Sequence, residues 1–284
     1  MCIRDRTDSA TFIDLPVPGV PGAEPRHRVH YRRIDADSPD APLLIFLHEG
    51  LGSVEMWRDF PDRVCAQLNC RGLLYSRYGY GRSTPRPASQ RWPVDYMHHH
   101  AQHVLPALYR ALGIDAELRP PVLYGHSDGG TIALLHAVYH PEHVAGMVVA
   151  APHVMVEDVT IRGIEHARRA YLHTDLRSRL SRYHSDVDSA FWAWNDIWLS
   201  PGFRPFDIRS SLSAIDCPLI ALQGVDDEYG TLDQIDDIGA RVPHALVRPL
   251  TACGHTPHKD QPIAVIDALA QVLAHSPTPS DPSL

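Results

Sequence analysis

The sequence predicts a doubly wound α/β fold: a mostly parallel sheet covered by helices on both faces, with an inserted helical lid. Three observations carry this. Short continuous apolar runs alternate with helical patterns along most of the 284 residues, the rhythm that builds a parallel sheet. One serine stands between glycines in PVLYGHSDGG, residues 121–130, where an apolar run meets a helical pattern. Residues 153–208 then break the rhythm, offering no strand candidate.

Taken in order, PVPGVPG (16–22) is a Pro- and Gly-rich entry, His27 to Ile34 an early strand, and Pro42 to Leu47 a continuous buried one. Ser53 to Leu68 reads as a helix, Gly72 to Arg77 as a strand, Pro93 to Leu112 as a helix and Pro121 to Tyr124 as a strand. Thr131 to Tyr139 has the three- and four-residue apolar spacing of a helix, and Ala145 to Ala150 is another strand. From Pro152 to Phe206 charged helical segments precede the aromatic run FWAWNDIWL. Strand signals return at Pro218 to Gln223 and His244 to Leu250. The expected organisation is a core of residues 1–152 and 209–284 carrying a helical cap of residues 153–208, with a disordered Pro/Ser tail from residue 276.

A chain that is 44% hydrophobic can bury one large core. Its 26 basic and 34 acidic residues give a net charge of -8 without a Lys- or Arg-rich run, which disfavours nucleic acid and leaves a small molecule as the expected partner. The five cysteines are odd in number and lack the paired spacings of a zinc site or disulfide framework, so reduced thiols and a cytoplasmic location are expected. The N-terminus has no apolar core of a signal peptide, and the longest apolar stretch, Val144 to Ala151, is too short for a membrane span.

Gly125 and Gly129 flank Ser127 at the spacing of a nucleophile elbow, where bulkier flanking residues would collide as strand turns into helix. A serine hydroxyl needs a histidine to take its proton and an acid to orient that histidine. In a doubly wound sheet both belong in loops beyond the carboxyl ends of strands. PLIALQ runs into GVDDEYG, with Asp226 and Asp227, and HALVRPL runs into TACGHTPH, with His255. Ser, Asp, His is the chain order of α/β-hydrolases. Charge developing on a carbonyl oxygen requires donors, each worth about 2.7 to 4 kcal/mol. By position these are the N–H groups of Gly50, in LHEGLGS, and of Asp128. No cofactor or metal is called for.

LHEGLGSVEMW, YGYGRSTP, GHSDGG, QGVDDEYG and CGHTPH together resemble the α/β-hydrolase superfamily, the lidded kind that includes carboxylesterases, lactonases and carbon–carbon bond hydrolases. The resemblance implies Ser127 as nucleophile, His255 as base, Asp227 as acid, and Gly50 with Asp128 as oxyanion donors. It implies a serine hydrolase acting on a carboxylic ester or related acyl bond. The alternatives are a carbon–carbon bond hydrolase, a cofactor-free haloperoxidase-like enzyme and, last, a non-catalytic ligand-binding protein.

Glu49 stands where many relatives carry glycine, and Asp128 where many carry an uncharged residue, a feature similar to valacyclovirase-like esterases. Two carboxylates beside the oxyanion donors predict a negative pocket that prefers neutral or amine-bearing acyl groups. Trp192, Trp194 and Trp198 are candidate pocket residues from the inserted segment. The histidines of HHHAQH (98–103) read as solvated surface, because consecutive helical side chains point around the axis. His136, His140 and His143 lack an HExxH-type acid, so a metal is not expected there.

Overall fold

The computed structural model describes residues 10–15 and 26–275. The expected disordered tail lies outside them. The strands are β1 (Thr11–Leu15), β2 (His27–Ile34), β3 (Leu43–Leu47), β4 (Arg71–Tyr75), β5 (Val122–His126), β6 (Gly146–Ala150), β7 (Leu219–Gly224) and β8 (Leu246–Leu250). They form one eight-stranded sheet in the order β1-β2-β4-β3-β5-β6-β7-β8. β1, β2 and β4 pair antiparallel, and every pairing from β4 to β8 is parallel.

The sheet is buried on both faces because successive side chains alternate between two cores. Ile45, Leu47, Leu73, Leu123, Met147 and Val149 enter one core, while Leu44, Phe46, Leu74, Tyr124, Val148 and Ala150 enter the other. The second core is closed by α1 (Phe60–Leu68) and by the C-terminal helix, α10 below. The first is closed by α2 (Tyr96–His99), α3 (Leu105–Leu112) and α4 (Asp128–Tyr139). α4 is buried around nearly its whole circumference, so it behaves as a central element.

Between β6 and β7 the chain forms α5 (Asp158–His173), α6 (Leu176–Leu180) and α7 (Val187–Trp198). A single bridge, Met155 to Asp207, pins the two ends of this segment together. After β7 come α8 (Asp233–Arg241), α9 (Pro257–Asp260) and α10 (Pro262–His275).

Two expected helices are broken, each by a proline. Ser53 to Leu68 splits into a 3-10 turn at Glu55–Trp57 and α1, with Arg58 at φ 54° between them. Pro61 has no N–H to give, so it fits only the first turn of a helix. Pro93 to Leu112 begins at Tyr96 and carries a π-turn at His100–Val104. There Leu105 bonds back to the His100 carbonyl, and Pro106 cannot bond to that of Gln102. The carbonyls of Ala101 and Gln102, left over, accept from His136 Nδ1 at 2.7 Å and His140 Nε2 at 2.9 Å.

Candidate active site

The carboxyl ends of β3, β5, β7 and β8 reach one rim of the sheet, and each runs directly into a loop carrying a predicted residue. Ser127 follows β5 with φ 52° and ψ -120°, a strained conformation for a residue with a Cβ. Two glycines make the turn possible. A Cβ on Gly125 would lie 2.3 Å from the Gly129 carbonyl oxygen, and one on Gly129 only 2.0 Å from that of Leu47. The Ser127 hydroxyl caps no helix N–H although it precedes α4. Instead it lies 3.0 Å from His255 Nε2.

His255 Nδ1 is 2.9 Å from both carboxylate oxygens of Asp227. The Asp227 side chain is fully buried, and its oxygens accept from the Tyr229 N–H at 2.8 Å and from Gln223 Nε2 at 2.6 Å. Asp226, its neighbour, is exposed. The histidine loop can come this close because Gly224 ends β7; a Cβ there would meet the Cys253 carbonyl at 2.2 Å. Burial alone acts to lower the His255 pKa, but the charge and hydrogen bond of Asp227 outweigh it and the net shift is upward. The same pair holds Asp227 below its usual range against the opposing effect of burial.

Opposite Ser127, the Glu49 carbonyl accepts from His48 Nδ1 at 2.7 Å and Arg77 Nη2 at 2.9 Å. The C=O and the following N–H of a trans peptide point in opposite directions, so these bonds aim the Gly50 N–H the other way. Neither that N–H nor the N–H of Asp128 has a backbone acceptor among the described residues. Asp128 is also the first residue of α4, where the helix dipole favours negative charge.

A family profile described as the alpha/beta hydrolase family matches residues 44–268. The chain belongs to the α/β-hydrolase family. Its curated relatives include 2-succinyl-6-hydroxy-2,4-cyclohexadiene-1-carboxylate synthase of Salmonella agona, 25% identical over 83% of this chain and 95% of that protein. Among solved structures, carboxylesterases of Nitrososphaera gargenis superpose with a TM-score of 0.70 at 17% identity, covering 92% of this chain and 98% of theirs. The enol-lactonase of Burkholderia xenovorans superposes at 0.67 with 16% identity, covering 87% and 97%. These structural likenesses establish a shared fold.

The Asp128 carboxylate does not make the pocket negative: it is fully buried, 3.3 Å from Arg77 Nη2, and accepts from the Tyr96 hydroxyl at 2.8 Å. The paired guanidinium cancels its charge, so the expected amine preference loses that basis. Glu49 turns toward His126, with 3.8 Å between carboxylate and Nδ1. Trp192 packs on Tyr171, Phe191 and the Arg168 guanidinium. Trp194 does reach the site, its indole lying where a Cβ on Gly50 would be, 2.2 Å from Cδ1. Trp198 packs on His153, whose ring is 5.7 Å from that of His255.

The histidines of 98–103 are not a solvated surface throughout, because His100 is buried and bonded to the Tyr75 hydroxyl at 2.7 Å. Sequence reasoning also missed Arg77, His126 and Tyr229. His126 Nε2 donates to the His255 carbonyl at 2.6 Å, fixing the histidine loop from within the GHS motif itself. Its position between Gly125 and Ser127 was the available signal. Among the described residues no helix is long and apolar enough to cross a membrane.

The contact between Gly50 and Trp194 yields a prediction. Gly50→Ala forces the indole off the loop and is expected to lower kcat/KM on a p-nitrophenyl ester by roughly 10²-fold, the scale of a 1 Å misplacement. Activity within twofold of the parent contradicts this reading of the Gly50 loop.

Proposed function

We propose that this α/β-hydrolase is a cofactor-independent serine hydrolase cleaving a carboxylic ester or related acyl bond of a small molecule. The observation that carries the reading is the unbroken hydrogen-bonded series from Ser127 through His255 to Asp227. His255 takes the hydroxyl proton as Ser127 Oγ attacks the carbonyl carbon, and Asp227 stabilises the imidazolium that results. The N–H groups of Gly50 and Asp128 donate to the developing oxyanion. His255 returns the proton to the leaving alcohol. Water, activated by the same histidine, then releases the acid from Ser127. The segment of α5 to α7 serves as a lid, with Trp194 over the oxyanion loop.

The synthase relatives, named for forming a cyclohexadiene carboxylate and not for cleaving an ester, favour a second reading, a carbon–carbon bond hydrolase using the same serine and histidine. Turnover of p-nitrophenyl esters of varied chain length, lactones and dienoate ketones separates the two. Ester or lactone hydrolysis supports the first; turnover of the ketones alone supports the second.

A pH profile tests the base. Protonated His255 cannot accept the serine proton, and its pKa is raised above the ordinary 6.5. The kcat/KM for a neutral ester is therefore expected to fall on acidification with a midpoint above pH 6.5. Asp227→Asn removes the charge that raises the pKa and moves the midpoint down. A parent midpoint below 6.5 contradicts the assignment.

A further inference from the structure

At the far end of α4, 12 residues or about 18 Å along the helix from Ser127, the sequence HAVYHPEH ends in a cluster that the proposed chemistry does not use. We infer that His140, Glu142 and His143 form a binding site for one divalent transition-metal ion of the zinc type. His140 Nδ1 and His143 Nε2 lie 3.7 and 3.6 Å from the same carboxylate oxygen of Glu142. All three ligand atoms fall within 4.8 Å of one another. Ligands of a tetrahedral zinc ion, at 2.0 to 2.2 Å from the metal, stand roughly 3.3 Å apart. Side-chain movements of an ångström or so close the site.

A second, independent observation concerns how the histidines are held. The π-turn and Pro106 leave two carbonyls without helical partners, and each fixes one imidazole. His140 donates its Nε2–H to Gln102, which leaves Nδ1, on the Glu142 side, as the nitrogen available to a ligand. His136 donates Nδ1–H to Ala101, leaving Nε2 bare, buried and without a partner. Its ring stands 5.2 Å from that of His140 and 5.7 Å from that of His143. Carbonyl-anchored imidazoles of set tautomer are the arrangement in which histidine binds metal. The rings of His140 and His143 are stacked, 5.0 Å apart at 11°, so a rotation of one imidazole about its χ2 accompanies closure of the site.

Imidazole donors select zinc, nickel, cobalt or copper over magnesium and calcium. The carboxylate was overlooked in the sequence because it follows the helix, in His140-Pro-Glu-His, instead of lying within it. The cluster is remote from Ser127, so this inference stands or falls apart from the proposed activity.

Equilibrium dialysis of the full chain against Zn²⁺, with Mg²⁺ and Ca²⁺ in parallel, measures stoichiometry and affinity. One Zn²⁺ per chain is expected, with at least tenfold weaker binding of Mg²⁺ and Ca²⁺. Glu142→Gln and His143→Gln, both at side chains reaching the surface, are each expected to weaken Zn²⁺ binding tenfold or more. A His99→Gln/His103→Gln variant is expected to bind as the parent does, which keeps the test independent of the other histidine group. Cobalt(II) provides a second readout through the visible ligand-field band of a low-symmetry site, lost in the His143 variant. Zn²⁺ binding that survives Glu142→Gln with His143→Gln, that is lost in the His99/His103 variant, or that is absent from the parent overturns the proposal.

Discussion

Ser127→Ala is expected to lower kcat on an ester substrate by about 10⁴-fold or more, the scale on which triads fail when the nucleophile is removed, and to abolish labelling by a fluorophosphonate probe. The fold is expected to survive. Alanine keeps the Cβ, so the strain at φ 52° is unchanged, and the hydroxyl lost caps no helix N–H and bonds only His255 among the side chains. A melting temperature within about 3 °C of the parent corresponds to the modest net worth of one such hydrogen bond in a chain of this size. Glycine is a poorer test, since it relieves the strain as well as removing the hydroxyl. Labelling that persists in the alanine variant removes Ser127 as the nucleophile.

Asp227→Asn is expected to lower kcat by about 10⁴-fold, the effect of this substitution in a Ser-His-Asp triad, whereas Asp226→Asn leaves it within about twofold. The contrast rests on position. The Asp227 side chain is fully buried against His255, and both its oxygens are already met by N–H donors from Tyr229 and Gln223. Asparagine must turn its own NH₂ toward at least one donor, leaving a buried polar group unmatched and weakening the orientation of His255. Asp226 stands exposed, and its backbone N–H is engaged by the Cys253 carbonyl. Steady-state kinetics on the two variants, with circular dichroism to confirm folding, decide the matter. A larger loss for Asp226→Asn reverses the assignment.

Much of this was legible in the chain itself. Leu43–Leu47, Val122–His126 and Gly146–Ala150 are continuous apolar runs because a parallel sheet buries both faces, so local composition was enough to find them. The G-x-S-x-G spacing of residues 125–129 was legible as a motif, although only Gly125 answers a clash within the turn, with the Gly129 carbonyl, while Gly129 makes room for the distant Leu47 carbonyl of β3. The Ser, Asp, His order followed from which strands end in which loops.

Tertiary structure decided the rest, where the outcome depends on partners far away in the chain. Thr11–Leu15 becomes a strand by pairing with β2 at the sheet edge. The charge beside Ser127 was misjudged because Arg77, 51 residues from Asp128, neutralises it in the buried interior. The segments 98–103 and 136–143 were read separately, yet His136 and His140 of α4 bond the Ala101 and Gln102 carbonyls released by the π-turn and Pro106. A sequence records which donors and acceptors exist. Which of them are left over, and therefore available to one another or to a ligand, is fixed only when the backbone hydrogen bonds have been assigned in three dimensions.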